Sequence, residues 1–167
     1  MRVGGRTAQV DDPMLTVRGD LEPRVTPARV VFFGRHRIRA DQSLVRTARE
    51  IPTIAIGAEL PPSEAAALTD AGVVLLEARD LATGLALLRA RGIDSIVIEG
   101  GGRLSGALLG AGLVDRLAWI VSPVWLGDGG IPATRGFEVP SLLHAERWQV
   151  VEREALGQDT LLVFDRR

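Results

Sequence analysis

The stretch that decides the fold covers residues 95–127 and reads SIVIEGGGRLSGALLGAGLVDRLAWIVSPVWLG. It opens with a short apolar run at 96–98, and three glycines follow at 100–102. Apolar residues then recur at helical spacing, at Leu104, Ala107, Leu108 and Ala111. Gly112 stands where a helix C-cap is expected, and a second strand-like run covers 117–121. The stretch therefore predicts a strand, a glycine turn, a helix and a strand, in that order.

The glycine turn has the properties of an anion site. Glycines let the backbone bend sharply and let a ligand approach the main chain closely. The helix that follows directs unpaired N–H groups and the positive end of its dipole at the turn, where a phosphate would fit. Glu99 leaves the carboxyl end of the strand, so we expect it beside the pocket, facing a polar substrate group. The alternative is a tight strand-to-helix turn with a solvated Glu99.

Composition limits the chemistry. The 167 residues suit one domain, and the net charge of −1 gives no electrostatic case for nucleic acid. Cysteine is absent and all 20 basic residues are arginine, which excludes thiol catalysis, cysteine-ligated zinc and Schiff-base lysine chemistry. No apolar run reaches membrane-spanning length and no signal peptide opens the sequence. We therefore expect a cytoplasmic protein without nucleic-acid or membrane partners.

The middle of the chain alternates strands with helices. Apolar runs at 28–33, 52–57 and 73–77 predict strands, and the patterns at 64–71 and 81–90 predict helices. Such alternation indicates βαβ units and a mainly parallel sheet covered by helices. Near the end of the chain, the patterns at 147–154 and 160–165, around a turn at 157–159, predict an antiparallel hairpin on the edge of the sheet.

The first 20 residues are irregular, and the pairs Gly4-Gly5 and Asp11-Asp12, the latter followed by proline, are expected in turns. Asp11 and Arg18 are a possible carboxylate and phosphate-binding fork, and a surface turn is the alternative. The basic residues of 35–39 follow a strand end and could hold a phosphate such as the 2′-phosphate of NADPH, with a solvated basic loop as the alternative.

Three blocks resemble the riboflavin-biosynthesis reductases. VGGRTAQVDDPMLTVR at 3–18 is similar to their VGxxTxxxDDPxLTxR segment. VIEGGGRLSGALLGAGLVDRL at 97–117 is similar to their EGGG-[TR]-L…LVDEL segment, and SPVWLGDGG at 122–130 to their AP-x-x-LGGGG loop. The blocks occur in family order, and together they are specific. The resemblance implies a single reductase domain over 1–167 with a dihydrofolate-reductase-like α/β fold.

The implied activity is NADPH-dependent reduction of 5-amino-6-(5-phospho-ribosylamino)uracil to the ribitylamino compound, with hydride delivered to C1′ of the opened ribose. The substrate positions implied by the resemblance are Leu15, Arg18, which would grip the ribose phosphate, and Glu99, which would act near the reacting carbon. The implied NADPH-binding positions are Thr7, Asp11, Gly101, Gly102, Arg103, Leu104, Ser105, Gly106 and Ala107. The family also implies a homodimer, which we expect to form through the C-terminal part of the sheet.

The sequence departs from the family pattern in two respects. A strand and helix that normally precede the first block, with a lysine, are missing before residue 3, so the resemblance implies an N-terminally truncated domain. Phe33 stands where the family usually has Asp, and Gly34 where it often has Ser. No H-x-E with P-C-x-x-C occurs, so we expect neither zinc nor deaminase activity. The alternatives are a related pterin or carbonyl reductase and a non-catalytic remnant.

Overall fold

The computed structural model describes residues 2–17, 23–34, 36–99 and 101–167. The chain divides into two compact units, Met1–Leu104 and Ser105–Arg167, and the single domain expected from the sequence stays a prediction. The elements are β1 (Arg2–Gly4), α1 (Gly5–Asp11), β2 (Arg29–Phe32), α2 (Ser43–Arg46), β3 (Thr53–Gly57), α3 (Pro62–Asp70), β4 (Val74–Glu77), α4 (Leu81–Arg89), α5 (Gly102–Gly110), β5 (Arg116–Val121), a 3₁₀ turn (Gly127–Gly129), β6 (Gln149–Leu156) and β7 (Asp159–Asp165).

The first unit is built on a parallel sheet with strand order β1-β2-β3-β4. Val3 pairs with Val31, Val31 with Ala55, and Ala55 with Leu75. Every residue of β2 and β3 is buried, as expected of central parallel strands that are covered on both faces. The core of this unit includes Val31, Leu44, Val45, Ala55, Leu68 and Val73. The parallel sheet with covering helices that the sequence predicts is confirmed.

Helix ends follow the local signals in the sequence. Gly72, Gly92 and Gly112 have φ of 96°, 76° and 65° after α3, α4 and α5. The N–H of each glycine and that of the residue after it bond back to the last turn, as in Gly112 to Leu109 and Leu113 to Leu108. This is the Schellman pattern, which needs a left-handed residue and therefore favours glycine. The helix stop predicted at Gly112 is confirmed, and Gly72 and Gly92 end α3 and α4 in the same way.

The second unit contains an antiparallel sheet with strand order β5-β7-β6. The β6–β7 hairpin turns at Gly157, whose φ is 67°, and Arg116 makes a two-point ion pair with Asp165 across β5 and β7, at 2.6 and 2.8 Å. The predicted hairpin is confirmed, but its expected place on the edge of the parallel sheet is wrong: within the described residues, β7 pairs with β5 in a separate three-stranded sheet. Several large apolar side chains stay exposed on β5 and in the loops, among them Trp119, Ile120, Val121, Trp125, Leu142 and Leu143.

Two expectations about local structure are wrong. The irregular start contains β1 and α1, because pairing with β2 stabilises a three-residue strand that has no pattern of its own. The run 96–98, expected to be a strand, has only a single bridge, at Ile98, since a strand needs a neighbour along its length to pair with. Throughout the described residues, each helix is too short or too polar to cross a membrane.

Candidate functional site

The glycine turn lies beside the carboxyl end of β1. A Cβ built on Gly4, the last residue of β1, would lie 3.7 Å from the Cβ of Leu104 in the first turn of α5. Leu104 is buried, so the first turn of α5 lies in the packed interior near the end of β1. In open α/β sheets, ligands bind outside the carboxyl ends of the parallel strands. The structure therefore places the turn where the sequence expects a ligand.

The turn has the backbone geometry that an anion site needs. Gly101 has φ 91°, a conformation that a residue with a side chain rarely adopts. Its carbonyl accepts a hydrogen bond from the N–H of Leu104 at 2.8 Å. Gly102 then begins α5, and the first N–H groups of a helix have no partner within it. Backbone donors and the helix dipole together favour a phosphate at this position.

Glu99 and Arg103, on either side of the turn, are both exposed. Within the described parts of the chain, neither side chain has a hydrogen bond or an ion pair. A carboxylate and a guanidinium are thus both open to a ligand or to water. The exposure of the Glu99 side chain is compatible both with the predicted substrate role and with a solvated side chain. The substrate role stays a prediction.

The two aspartates that follow α1 differ in their surroundings. Asp11 is exposed at the last position of α1. The carboxylate of Asp12 accepts hydrogen bonds from the N–H and Oγ of Ser43 at 2.8 and 2.6 Å, and so caps the start of α2. Asp12 therefore has a structural role, whereas the carboxylate of Asp11, the predicted cofactor residue, has no partner among the described residues.

Three other residues of the first block are predicted to contact substrate or cofactor. Leu15 is buried in the core, and its φ of 48° is unusual for a branched residue. Its contact with substrate stays a prediction, and strained backbone is often found at functional sites. Thr7 lies within α1, and Arg18 lies outside the described residues.

Further along α5, Gly106 has a packing reason for being glycine. A Cβ on Gly106 would lie 2.1 Å from the carbonyl oxygen of Arg135, and one on Gly110 would lie 2.9 Å from the Cβ of Phe137. The segment 135–137 therefore lies directly against α5. The four-residue spacing of these glycines is the signal that sequence reasoning missed. Ser105 is half-buried and Ala107 exposed, and their predicted contacts with cofactor, like that of Gly106, stay predictions.

Two arginines of the basic loop after β2 already form ion pairs with carboxylates of this chain. Arg37 binds both oxygens of Glu64 at 2.8 and 2.9 Å. Arg39 pairs with Asp41, and this hydrogen bond lowers the pKa of the Asp41 carboxyl. A phosphate would have to displace these partners, which favours the solvated alternative at Arg37 and Arg39. Arg35 lies outside the described residues.

The described residues include no group of three or more metal-ligating side chains that could hold an ion. The residues present do suit a nucleotide. The left-handed Gly101 and the open start of α5 provide backbone donors that suit the phosphates of a nucleotide. The fold is that of an α/β domain, and the glycine turn lies at the edge of the sheet where domains of this class bind ligands.

The chain belongs to the RibD C-terminal domain family, whose model matches residues 1–162. It is 32% identical to the riboflavin biosynthesis protein RibD of Mycobacterium tuberculosis, over 96% of this chain and 40% of that protein. It is 31% identical to the 2,5-diamino-6-ribosylamino-4(3H)-pyrimidinone 5′-phosphate reductase of Methanothermobacter thermautotrophicus, over 97% of this chain and 77% of the relative. The chain spans less than half the length of the RibD relatives that it matches.

A solved structure of Acinetobacter baumannii RibD superposes on this chain with a TM-score of 0.83 at 25% identity, over 99% of this chain and 46% of that one. The expected dihydrofolate-reductase-like fold is confirmed by this similarity. The family assignment from the three sequence blocks is confirmed as well.

Proposed function

We propose that the chain is the reductase of riboflavin biosynthesis and reduces 5-amino-6-(5-phospho-ribosylamino)uracil with NADPH. The observation that carries the proposal is the approach of Gly4 to Leu104, which puts the glycine turn at the carboxyl end of β1. Family membership supports the substrate class. The proposal also implies a cytoplasmic enzyme, and that location stays a prediction.

The name of the Methanothermobacter relative suggests a second substrate. That protein is named as a reductase of a 2,5-diamino-pyrimidinone phosphate. The diamino compound and the uracil carry the same phosphorylated ribosylamino group and differ only on the pyrimidine ring. Both substrates therefore need the same phosphate grip and the same hydride acceptor, and the ring contacts decide between them.

The chain's own residues would bind and orient the reactants. NADPH, when bound, supplies the hydride that reduces C1′ of the opened ribose. Thr7, Asp11 and the stretch 101–107 would hold the cofactor, with its pyrophosphate at the start of α5. Arg18 would bind the ribose phosphate through two parallel hydrogen bonds. Glu99 would orient the substrate near C1′ or assist the accompanying proton transfer.

A homodimer is part of the proposal. The exposed apolar side chains of the second unit, Trp119 and Trp125 among them, support it, because large apolar patches on a surface mark contact sites. The half-buried Trp148 and Phe164 also lie in this unit.

The experiment is a turnover assay of the purified chain with NADPH and each of the two pyrimidine phosphates. Oxidation of NADPH that depends on one of them, with the ribitylamino product identified by mass spectrometry, is the expected result. A pterin substrate is the comparison. Turnover of the pterin alone would move the chain to another reductase class, and NADPH binding without turnover would favour a non-catalytic role.

A further inference from the structure

Arg29, the first residue of β2, is completely buried. Within the described residues no carboxylate forms an ion pair with it, and burial lowers the pKa of its guanidinium. A buried cation without a partner is costly, so its donors must be satisfied by other groups. Its partners are the Oγ1 of Thr47 and Thr53 and the carbonyls of Met14, Leu44 and Ile51, at 2.7 to 3.2 Å.

One of these hydrogen bonds differs from the others. Four partners of Arg29 lie between Leu44 and Thr53, in α2, β3 and the chain that joins them. The fifth is the carbonyl of Met14, which accepts from Nη1 at 3.2 Å. Met14 precedes Leu15, whose left-handed backbone is strained. The guanidinium thus joins the first block of the sequence to the core directly before the strained residue.

Two residues at the start of α2 hold the same segment with three further hydrogen bonds. The buried Gln42 donates from Nε2 to the carbonyl of Ala8 at 2.6 Å, and Ser43 donates to the carboxylate of Asp12. Residues 8–15 are therefore held by hydrogen bonds at several positions. Arg29 holds this segment at the Met14 carbonyl. The predicted substrate residue Leu15 follows directly after Met14.

We propose that Arg29 is a positioning residue for substrate binding: by fixing the Met14 carbonyl it sets the backbone at Leu15. The proposal rests on the proposed function. Arg29 itself touches neither substrate nor cofactor. Misplacement of a binding segment by about 1 Å can cost about a hundredfold in rate, so the effect of losing this bond is measurable.

The test compares Arg29→Lys with Thr53→Val. The lysine keeps the charge but lacks the forked donors that reach Met14. The valine removes the hydroxyl that accepts from Nε and Nη2 and leaves the bond to Met14 in place. Both variants should lower the melting temperature. Only Arg29→Lys should raise KM for the pyrimidine phosphate, by about tenfold or more, with KM for NADPH nearly unchanged.

Hydrogen exchange provides a readout that does not depend on turnover. The amides of residues 14–17 should exchange faster in Arg29→Lys than in Thr53→Val. If the wild-type chain reduces neither pyrimidine phosphate, the proposed function fails, and the exchange rates alone decide whether Arg29 fixes this segment. Equal kinetic constants and equal exchange in the two variants would overturn the proposal.

A second variant covers the case in which Arg29→Lys does not fold. Arg29→Gln keeps a planar amide donor and should show the same selective rise in KM for the pyrimidine phosphate. If neither variant folds while Thr53→Val folds with unchanged kinetic constants, Arg29 serves the fold alone and the positioning role is overturned.

Discussion

Gly4 and Leu104 approach each other closely: a Cβ on residue 4 would lie 3.7 Å from the Cβ of Leu104, although 100 positions separate them in the sequence. The approach brings the end of β1 to the first turn of α5. Gly4 is also the N-cap of α1, the helix that ends at Asp11. The first sequence block and the glycine turn are therefore neighbours at the end of β1. The proposed function needs them side by side.

The proposed phosphate grip predicts a selective effect at Arg18. Arg18→Ala should raise KM for the phosphorylated substrate about ten- to hundredfold, because a hydrogen bond to a charged group contributes about 1.5–3 kcal/mol. Affinity for NADPH should not change. Steady-state kinetics with each reactant varied in turn measures KM for the pyrimidine phosphate and KM for NADPH. The matched control is Arg24→Ala, because Arg24 is an exposed arginine. Equal loss of substrate and NADPH binding would assign Arg18 to the cofactor site or to the fold.

Glu99 should act on the chemical step. Glu99→Gln keeps the size of the side chain and removes its charge, so kcat should fall about a hundredfold or more if the carboxylate assists proton transfer. NADPH affinity should stay within a factor of about two of the wild-type value. The exposed Glu77→Gln, at the end of β4, is the control. A variant with wild-type kcat would show that Glu99 is merely solvated.

Asp80 links stability to pH. Hydrogen bonds from the N–H and then the hydroxyl of Thr83 lower the pKa of its carboxyl below the ordinary 3.8. A lowered pKa in the folded state stabilises the protein at pH above the unfolded value, and this stabilisation is lost as the pH falls through the folded value. Asp80→Asn keeps a capping side chain but does not titrate.

The melting temperatures of the wild type and of Asp80→Asn should therefore differ at neutral pH and converge as the pH falls below about 4. Thermal melts across this pH range test the prediction. A difference that stays constant down to acid pH would contradict the capping role.

Gly106 should be required for packing. Alanine in place of glycine inside a helix normally stabilises by about 1 kcal/mol. At Gly106 the new Cβ would meet the carbonyl of Arg135 at 2.1 Å, and overpacking of this kind costs about 1–3 kcal/mol. Gly106→Ala should therefore unfold at lower denaturant concentration without any ligand present. A variant more stable than the wild type would show that the backbone of segment 135–137 moves aside at little cost in free energy.

Local signals made much of the fold predictable. The helix stops at Gly72, Gly92 and Gly112 depend on residues within one turn of the glycine, and the buried strands β2 and β3 are apolar almost throughout. These features require no knowledge of distant neighbours. The family blocks supplied the candidate site for the same reason, since each is a continuous stretch of sequence.

Features that depend on distant partners were not predictable. Asp12 caps a helix whose first residue is 31 positions away, and the buried guanidinium of Arg29 has partners 15 to 24 positions away. An arginine before an apolar run is usually assigned to the surface. The short β1 was missed in the same way, because it exists through its pairing with β2.

If the glycine turn beside β1 binds NADPH, a valine at position 101 should disrupt the binding. Gly92→Val is the matched control, because Gly92 also has a left-handed backbone, with φ 76° against 91°, and lies after α4. Both valines introduce similar backbone strain of about 1–3 kcal/mol. Only the valine at 101 obstructs the backbone donors at the start of α5.

The measurement is a fluorescence titration of NADPH against the wild type and the two folded variants. Affinity should fall at least about a hundredfold in Gly101→Val, because the loss of two hydrogen bonds to a charged group costs about 3–6 kcal/mol. Gly92→Val should bind as the wild type does. Wild-type affinity in a folded Gly101→Val would show that the glycine turn does not bind NADPH.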